Sequence, residues 1–99
     1  MNDLTKQITQ WAMARDLHTA DPVKQMLKLA EEFGEVAEGM AKNRKGETLD
    51  GIGDMYVVLT ILALQLDTNI QDCVSLAYQE IKNRKGKLVN GVYVKEEDL

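Results

Sequence analysis

The sequence predicts an all-α domain, a four-helix bundle-like fold followed by a short C-terminal β-hairpin. Three observations point there. Apolar residues recur at i+3/i+4 spacing in four successive segments. The joints between those segments carry helix-capping residues. The tail holds an Asn-Gly dipeptide between β-formers. The length, 99 residues, suits one domain spanning 1–99. A chain this short buries a thin core, so covering surface from a second subunit is expected.

The first helix is expected from about Asp3 to Leu17, with Leu4, Ile8, Trp11, Ala12 and Arg15 at helical spacing. His18-Thr19-Ala20 breaks that pattern. Asp21 suits an N-cap, and Pro22 suits the first helical position, where a missing N–H is no loss. The second helix then runs to about Asn43, with Gly46 as its C-terminal break. A third is expected from about Thr48 to Leu66. Thr68 and Gln71 form a capping-box pattern for the fourth, which ends near Lys85-Gly86. The hairpin is expected over about 87–94, turning at Asn90-Gly91. A lone hairpin is marginal in water, so this one should pack on the helices or on a partner subunit. Gly34, Gly39, Gly51 and Gly53 lie inside predicted helices. Each costs roughly 1 kcal/mol relative to alanine, which close backbone approach would explain.

Charge and composition exclude several classes of function. A net charge of −4 argues against a dedicated nucleic-acid binder, which needs a clustered basic surface. The basic run Lys82-Asn83-Arg84-Lys85-Gly86-Lys87 is short, and better suited to a small phosphorylated ligand. Cys73 stands alone, which excludes an intramolecular disulfide and a thiolate metal site. The N-terminus shows no charged-then-apolar leader pattern. The apolar stretch Met55 to Leu66 is interrupted by Thr60 and Gln65 and is too short to span a bilayer. A cytoplasmic protein without membrane or nucleic-acid partners is expected.

The chemistry concentrates in carboxylates. Glu31, Glu35 and Glu38 fall within about 80° of one another on the second helix, with Glu32 about 60° beyond Glu35. Like charges at i and i+4 repel, and a divalent cation turns that repulsion into binding. Hard oxygen ligands of this kind suit Mg²⁺ or Mn²⁺. Met26, Leu29, Phe33, Val36, Ala37 and Met40 form the opposite, apolar face, so the acidic side also fits a plain solvated face. On the third helix Asp54 shares a stripe with Val58 and Ile61, and Asp50 extends it backwards. A carboxylate where a buried face begins is costly unless paired or metal-bound. It also sits near a helix start, where the dipole favours it.

These residues carry a resemblance. The segment Glu31-Glu32-Phe33-Gly34-Glu35, flanked by Leu29-Ala30, and the later Gly53-Asp54 before an apolar run resemble the MazG-like, all-α nucleoside triphosphate pyrophosphohydrolases, in their short phage and bacterial form. That superfamily carries Glu-Glu-x-x-Glu on one helix and Glu-x-x-Asp on the next. The likeness covers Trp11 to Leu66, and the end from Glu80 to Val92 is also similar. One departure is plain: the position three before Asp54 is Gly51 where the family has Glu, and Asp50 is the nearest stand-in.

The resemblance implies a MazG fold in a homodimer or homotetramer, and Mg²⁺-dependent hydrolysis of a (d)NTP to (d)NMP and pyrophosphate. Glu32, Glu35 and Asp54 are then the metal ligands, with Asp50 as the fourth. Glu31 either ligates a second ion or orients the attacking water, so Glu31 and Glu35 are the catalytic candidates. Lys82, Asn83 and Lys85, with Arg84, are candidates to hold phosphate, although cations at a helix end favour the dipole without any function. Trp11, with Tyr56 and Tyr78, is a candidate for base stacking or for core, and His18 for the edge of the nucleotide pocket. Two other outcomes remain open at this point: a phosphoribosyl-ATP pyrophosphohydrolase, or a catalytically weak nucleotide-binding or oligomerisation module.

Overall fold

A computed structural model describes residues 2–99. The chain is mostly helical: α1 (Asp3–Ala14), α2 (Pro22–Ala41), α3 (Lys45–Gln65) and α4 (Ile70–Ile81) precede the strands β1 (Gly86–Val89) and β2 (Val92–Lys95). Single 3-10 turns lie at Leu17–Thr19 and Glu96–Asp98.

The helix ends follow local chemistry. Asn2 caps α1, its side chain accepting from the Thr5 N–H at 2.8 Å. This helix stops at Ala14, short of the expected Leu17, because Asp16 turns left-handed (φ 59°) and a 3-10 turn follows. Asp21 caps α2 as expected, accepting from the Val23 N–H at 2.9 Å, and Pro22 begins the helix. Asp21→Ala should therefore cost about 1 kcal/mol, read as a lower urea midpoint with unchanged slope.

The break after α2 falls earlier than Gly46. Asn43 takes the left-handed conformation (φ 56°), which asparagine tolerates well, and the Arg44 N–H returns to the Gly39 carbonyl at 2.8 Å. Gly46 consequently lies in the first turn of α3, which begins at Lys45 and not Thr48. Asn69, not Thr68, caps α4, accepting from the Asp72 N–H at 2.9 Å. That helix ends at Ile81, and residues through Lys85 form the turn into β1. The hairpin matches expectation: Val89 pairs with Val92 across Asn90-Gly91, whose φ values of 52° and 80° suit a type I′ turn.

Helix α3 is the spine. Val58, Ile61 and Ala63 are buried along it, together with Thr60. Antiparallel α2 packs closely on it at two glycines. A Cβ on Gly39 would meet Thr48 Oγ1 at 2.8 Å, and one on Gly51 would meet Val36 Cγ2 at 2.6 Å. Gly34 and Gly53 show no such approach, with nothing within 4 Å. From the other side α1 adds buried Ala12 and a 2.8 Å hydrogen bond between Thr5 and the Tyr56 hydroxyl.

The expected bundle does not close within one chain. Asp67 turns left-handed (φ 61°) at the joint, and α4 leaves α3 at 102° instead of returning along it. Its apolar Val74, Leu76, Tyr78 and Ile81 stay exposed. Of the two surfaces expected to cover the hairpin, the chain's own helices do not: it makes no substantial contact with α1–α4 among the described residues, since the splayed α4 carries it away from them. A radius of gyration of 16.2 Å exceeds the roughly 13 Å of a compact chain this long. Helix α2 is also less buried than its pattern implied. It turns Gln25, Leu29, Glu32, Val36 and Gly39 inward, while Met26, Phe33 and Met40 are exposed. Among the described residues no single helix is long and apolar enough to cross a membrane.

Candidate metal centre

The α2–α3 pair sets carboxylates against each other. Glu35 and Glu38 of α2 and Glu47, Asp50 and Asp54 of α3 line one cleft of about 270 Å³, with Gly51 at its floor and Arg44 at its rim. On α3 the spacing 47, 50, 54 is one helical stripe. On α2, Glu32 lies one turn from Glu35 towards α3, and it is half-buried.

Glu32 bears the electrostatic strain of this arrangement. Burial first, then the neighbouring charges of Glu35 and Asp54, push its carboxyl above the ordinary range; Lys28 pulls weakly the other way. Its Oε2 is shielded from solvent and has no hydrogen-bond partner. A shielded, unpartnered carboxylate oxygen beside two more carboxylates is the donor chemistry a hard divalent cation satisfies. In their present rotamers no three His, Cys, Asp or Glu side chains among the described residues converge as a complete metal shell. The chemistry of the donor set fits a cation, and rotation of long glutamate side chains would be needed to gather it.

The sign of the Glu32 shift gives a test. Its folded-state pKa lies above that of the unfolded chain, so Glu32 favours folding at acid pH and loses that contribution as pH rises through the folded value. In EDTA, Glu32→Gln is expected to melt above wild type at neutral pH, with the gap closing below about pH 4. A gain that persists unchanged into acid would assign the effect to packing.

The structure brings together Glu32, Glu35, Asp50 and Asp54, four of the five metal candidates. Glu31 is exposed and does not line the cleft, because its position on α2 turns it away from α3. Nor do the other candidates line it. Lys82, Asn83 and Lys85 sit in the turn after α4. Trp11 is exposed on α1, where the Arg15 guanidinium stacks 4.3 Å from its ring centroid. His18 is half-buried in the 3-10 turn that packs on α3, where Gln65 donates to the Leu17 carbonyl at 3.0 Å. Gln65 is about 16 Å along α3 from Asp54, so His18 lies near the helix end away from the cleft.

Glu38, Glu47 and Arg44 line the cleft without having been singled out as ligands. The signal for Glu47 was its place seven residues before Asp54, hidden by starting α3 at Thr48. Glu38 was visible in the acidic run but not its position at the cleft.

No family model matches the chain, and no solved structure matches it. It is similar to an uncharacterized 18.2 kDa protein from the rep-hol intergenic region of Haemophilus phage HP1 (strain HP1c1), 48% identical over 66 residues. The match takes in 66% of this chain and 40% of the phage protein, so the chain spans well under half of that relative's length.

Proposed function

We propose that the chain is a cytoplasmic, Mg²⁺-dependent nucleoside triphosphate pyrophosphohydrolase of the MazG-like kind, acting as a homo-oligomer and converting (d)NTP to (d)NMP and pyrophosphate. The observation that carries this reading is the carboxylate set shared by two helices, with the Glu32 oxygen left shielded and unpartnered between Glu35 and Asp54. Glu32, Glu35 and Asp54 would hold the cation, with Asp50 beside them and Mn²⁺ as an alternative ion. When bound, the ion supplies Lewis-acid polarisation and neutralises triphosphate charge.

The protein's own groups divide the remaining work. Glu35 lines the cleft and Glu31 does not, which supports Glu35 as the group that accepts a proton from the attacking water. Arg44, at the rim, would hold a phosphate oxygen by charge-assisted hydrogen bonds. Gly51 keeps the floor of the cleft low, because α2 passes directly against it.

The test is phosphate release, coupled to inorganic pyrophosphatase, from a panel of NTPs, dNTPs and phosphoribosyl-ATP with and without Mg²⁺. Turnover that needs Mg²⁺ on a common (d)NTP is the expected result, whereas turnover confined to phosphoribosyl-ATP would move the protein to the histidine-pathway type. One observation favours a second reading, a cation-binding helical module with little turnover: the basic residues 82–85 do not line the cleft. Calorimetric Mg²⁺ binding without turnover on any substrate would select it.

A further inference from the structure

Gly53 costs α3 roughly 1 kcal/mol relative to alanine and, unlike Gly39 and Gly51, gives no close helix contact in return. Nothing lies within 4 Å of where its Cβ would stand. It lines a cavity of about 530 Å³ between α1 and α3. Leu4 and Ile8 of α1 and Ile52 and Val57 of α3 give that cavity apolar walls. Tyr56 lines it too, its hydroxyl held 2.8 Å from that of Thr5, which is only 2% exposed. A mostly apolar hollow of this size with a few polar groups is the usual form of a small-molecule site. Asp50 and Asp54 line this cavity as well as the carboxylate cleft, so the two hollows adjoin along one helical stripe.

We propose that this cavity receives the heterocyclic ring of the nucleotide whose phosphates the carboxylate-held ion would take, and that Gly53 is the residue that admits it. The inference rests on the function proposed above and adds where the base lies and what makes room for it. The occupant follows from continuity. A ligand with its phosphates at Asp50 and Asp54 has two sides of α3 on which to lay its uncharged end. On the α2 side Val36 already packs against Gly51, whereas on the α1 side the space at Gly53 is open. Any side chain at position 53 would begin in that space. Tyr56 offers the ring a stacking face, which suits every base because every base has a π-face. The Thr5 and Tyr56 hydroxyls can each donate or accept, so they impose no fixed code on the ring edge. The cavity is therefore expected to take purines and pyrimidines alike.

Calorimetric binding to the full-length protein in Mg²⁺ tests it, with α,β-imido analogues of the four common dNTPs and with inorganic tripolyphosphate, which has no base. Wild type should bind each nucleotide more tightly than tripolyphosphate. Gly53→Leu should weaken all four nucleotides by about tenfold or more, the scale of losing one base–aromatic contact, and leave tripolyphosphate unchanged. The same variant should melt no lower than wild type, since leucine is the better helix former and meets nothing there. Nucleotide binding unaltered in Gly53→Leu would overturn the inference. So would an equal loss of tripolyphosphate, or a wild type that binds nucleotide no better than tripolyphosphate. These readouts are independent of turnover. Mg²⁺-dependent hydrolysis with unaltered binding in Gly53→Leu keeps the proposed function and removes the ring site. Base-dependent binding lost in Gly53→Leu, without hydrolysis by wild type, keeps the ring site and removes the enzyme.

Discussion

Asp54→Asn is expected to remove Mg²⁺-dependent nucleotide hydrolysis, by at least about 100-fold in turnover, while the metal-free protein melts no lower than wild type. The first half follows from position. Asp54 is half-buried where the α3 stripe passes from the cleft into the core at Val58 and Ile61, and it is one of two carboxylates whose charge raises the Glu32 pKa. Asparagine keeps the shape and one oxygen but loses the charge that a hard cation requires. A 100-fold loss corresponds to about 2.7 kcal/mol, within what a Lewis-acid site contributes. The second half follows from the same electrostatics with the opposite sign. Without metal, Asp54 and Glu32 repel, so removing one charge relieves the folded state. The upward melting shift expected from Mg²⁺ in the wild type, through binding to the folded protein alone, should be absent from the variant. Glu35→Gln should behave alike, and Glu31→Gln, outside the cleft, should keep most of its turnover. Full activity in both Asp54→Asn and Glu35→Gln, or a loss as large in Glu31→Gln, would show that the centre lies elsewhere.

Much of this architecture was legible because it rests on local rules. Asp21-Pro22 opens α2 and Asn90-Gly91 turns the hairpin as their own chemistry requires. The errors came where two residues competed for one role. Asn43 outcompeted Gly46 as the left-handed stop, because the backbone turned as soon as a tolerant residue was available. Expecting α3 to begin three residues late, at Thr48, then concealed Glu47 from the acidic stripe. Tertiary direction was the part a single sequence could not give. Periodicity shows that α2 has an apolar side, but not that its wide apolar arc divides into a stripe for α3 and a stripe that α3 leaves bare. Likewise α4 has an amphipathic pattern, and only the left-handed Asp67 at the preceding joint decides that it turns across the end of α3. For the candidate site, the pairing of Glu32 and Glu35 with Asp54 was readable by taking consecutive helices as an antiparallel pair, which holds for α2 and α3 and fails for α3 and α4. The outward turn of Glu31 was not, because it depends on which side of α2 meets α3.

Gly51→Glu, which restores the glutamate found at this position in the family the sequence resembles, is expected to destabilise the protein and not to improve the centre. The reason is the crossing of α2 over α3. A Cβ at Gly51 would meet Val36 Cγ2 at 2.6 Å, with the Val36 Cα behind it at 3.8 Å. The methyl group cannot simply swing away, because β-branched side chains in helices have one strongly preferred χ1. Forcing atoms into such a contact costs about 1–3 kcal/mol, against about 1 kcal/mol gained by replacing a helical glycine. Glutamate adds a further cost, since its charge would emerge among Glu35, Asp50 and Asp54. The net loss should be about 2 kcal/mol, lowering the melting temperature by on the order of 10 °C for a domain of this size. Gly51→Ala separates the steric part from the charge, and should lose up to about 2 kcal/mol by the same balance. Adding Val36→Ala removes the opposing methyls, so the double variant should be less destabilised than the sum of the two single changes. If Gly51→Glu is as stable as wild type and hydrolyses nucleotides faster, then the helices can part here, and the glycine is a lost ligand and not the price of close packing.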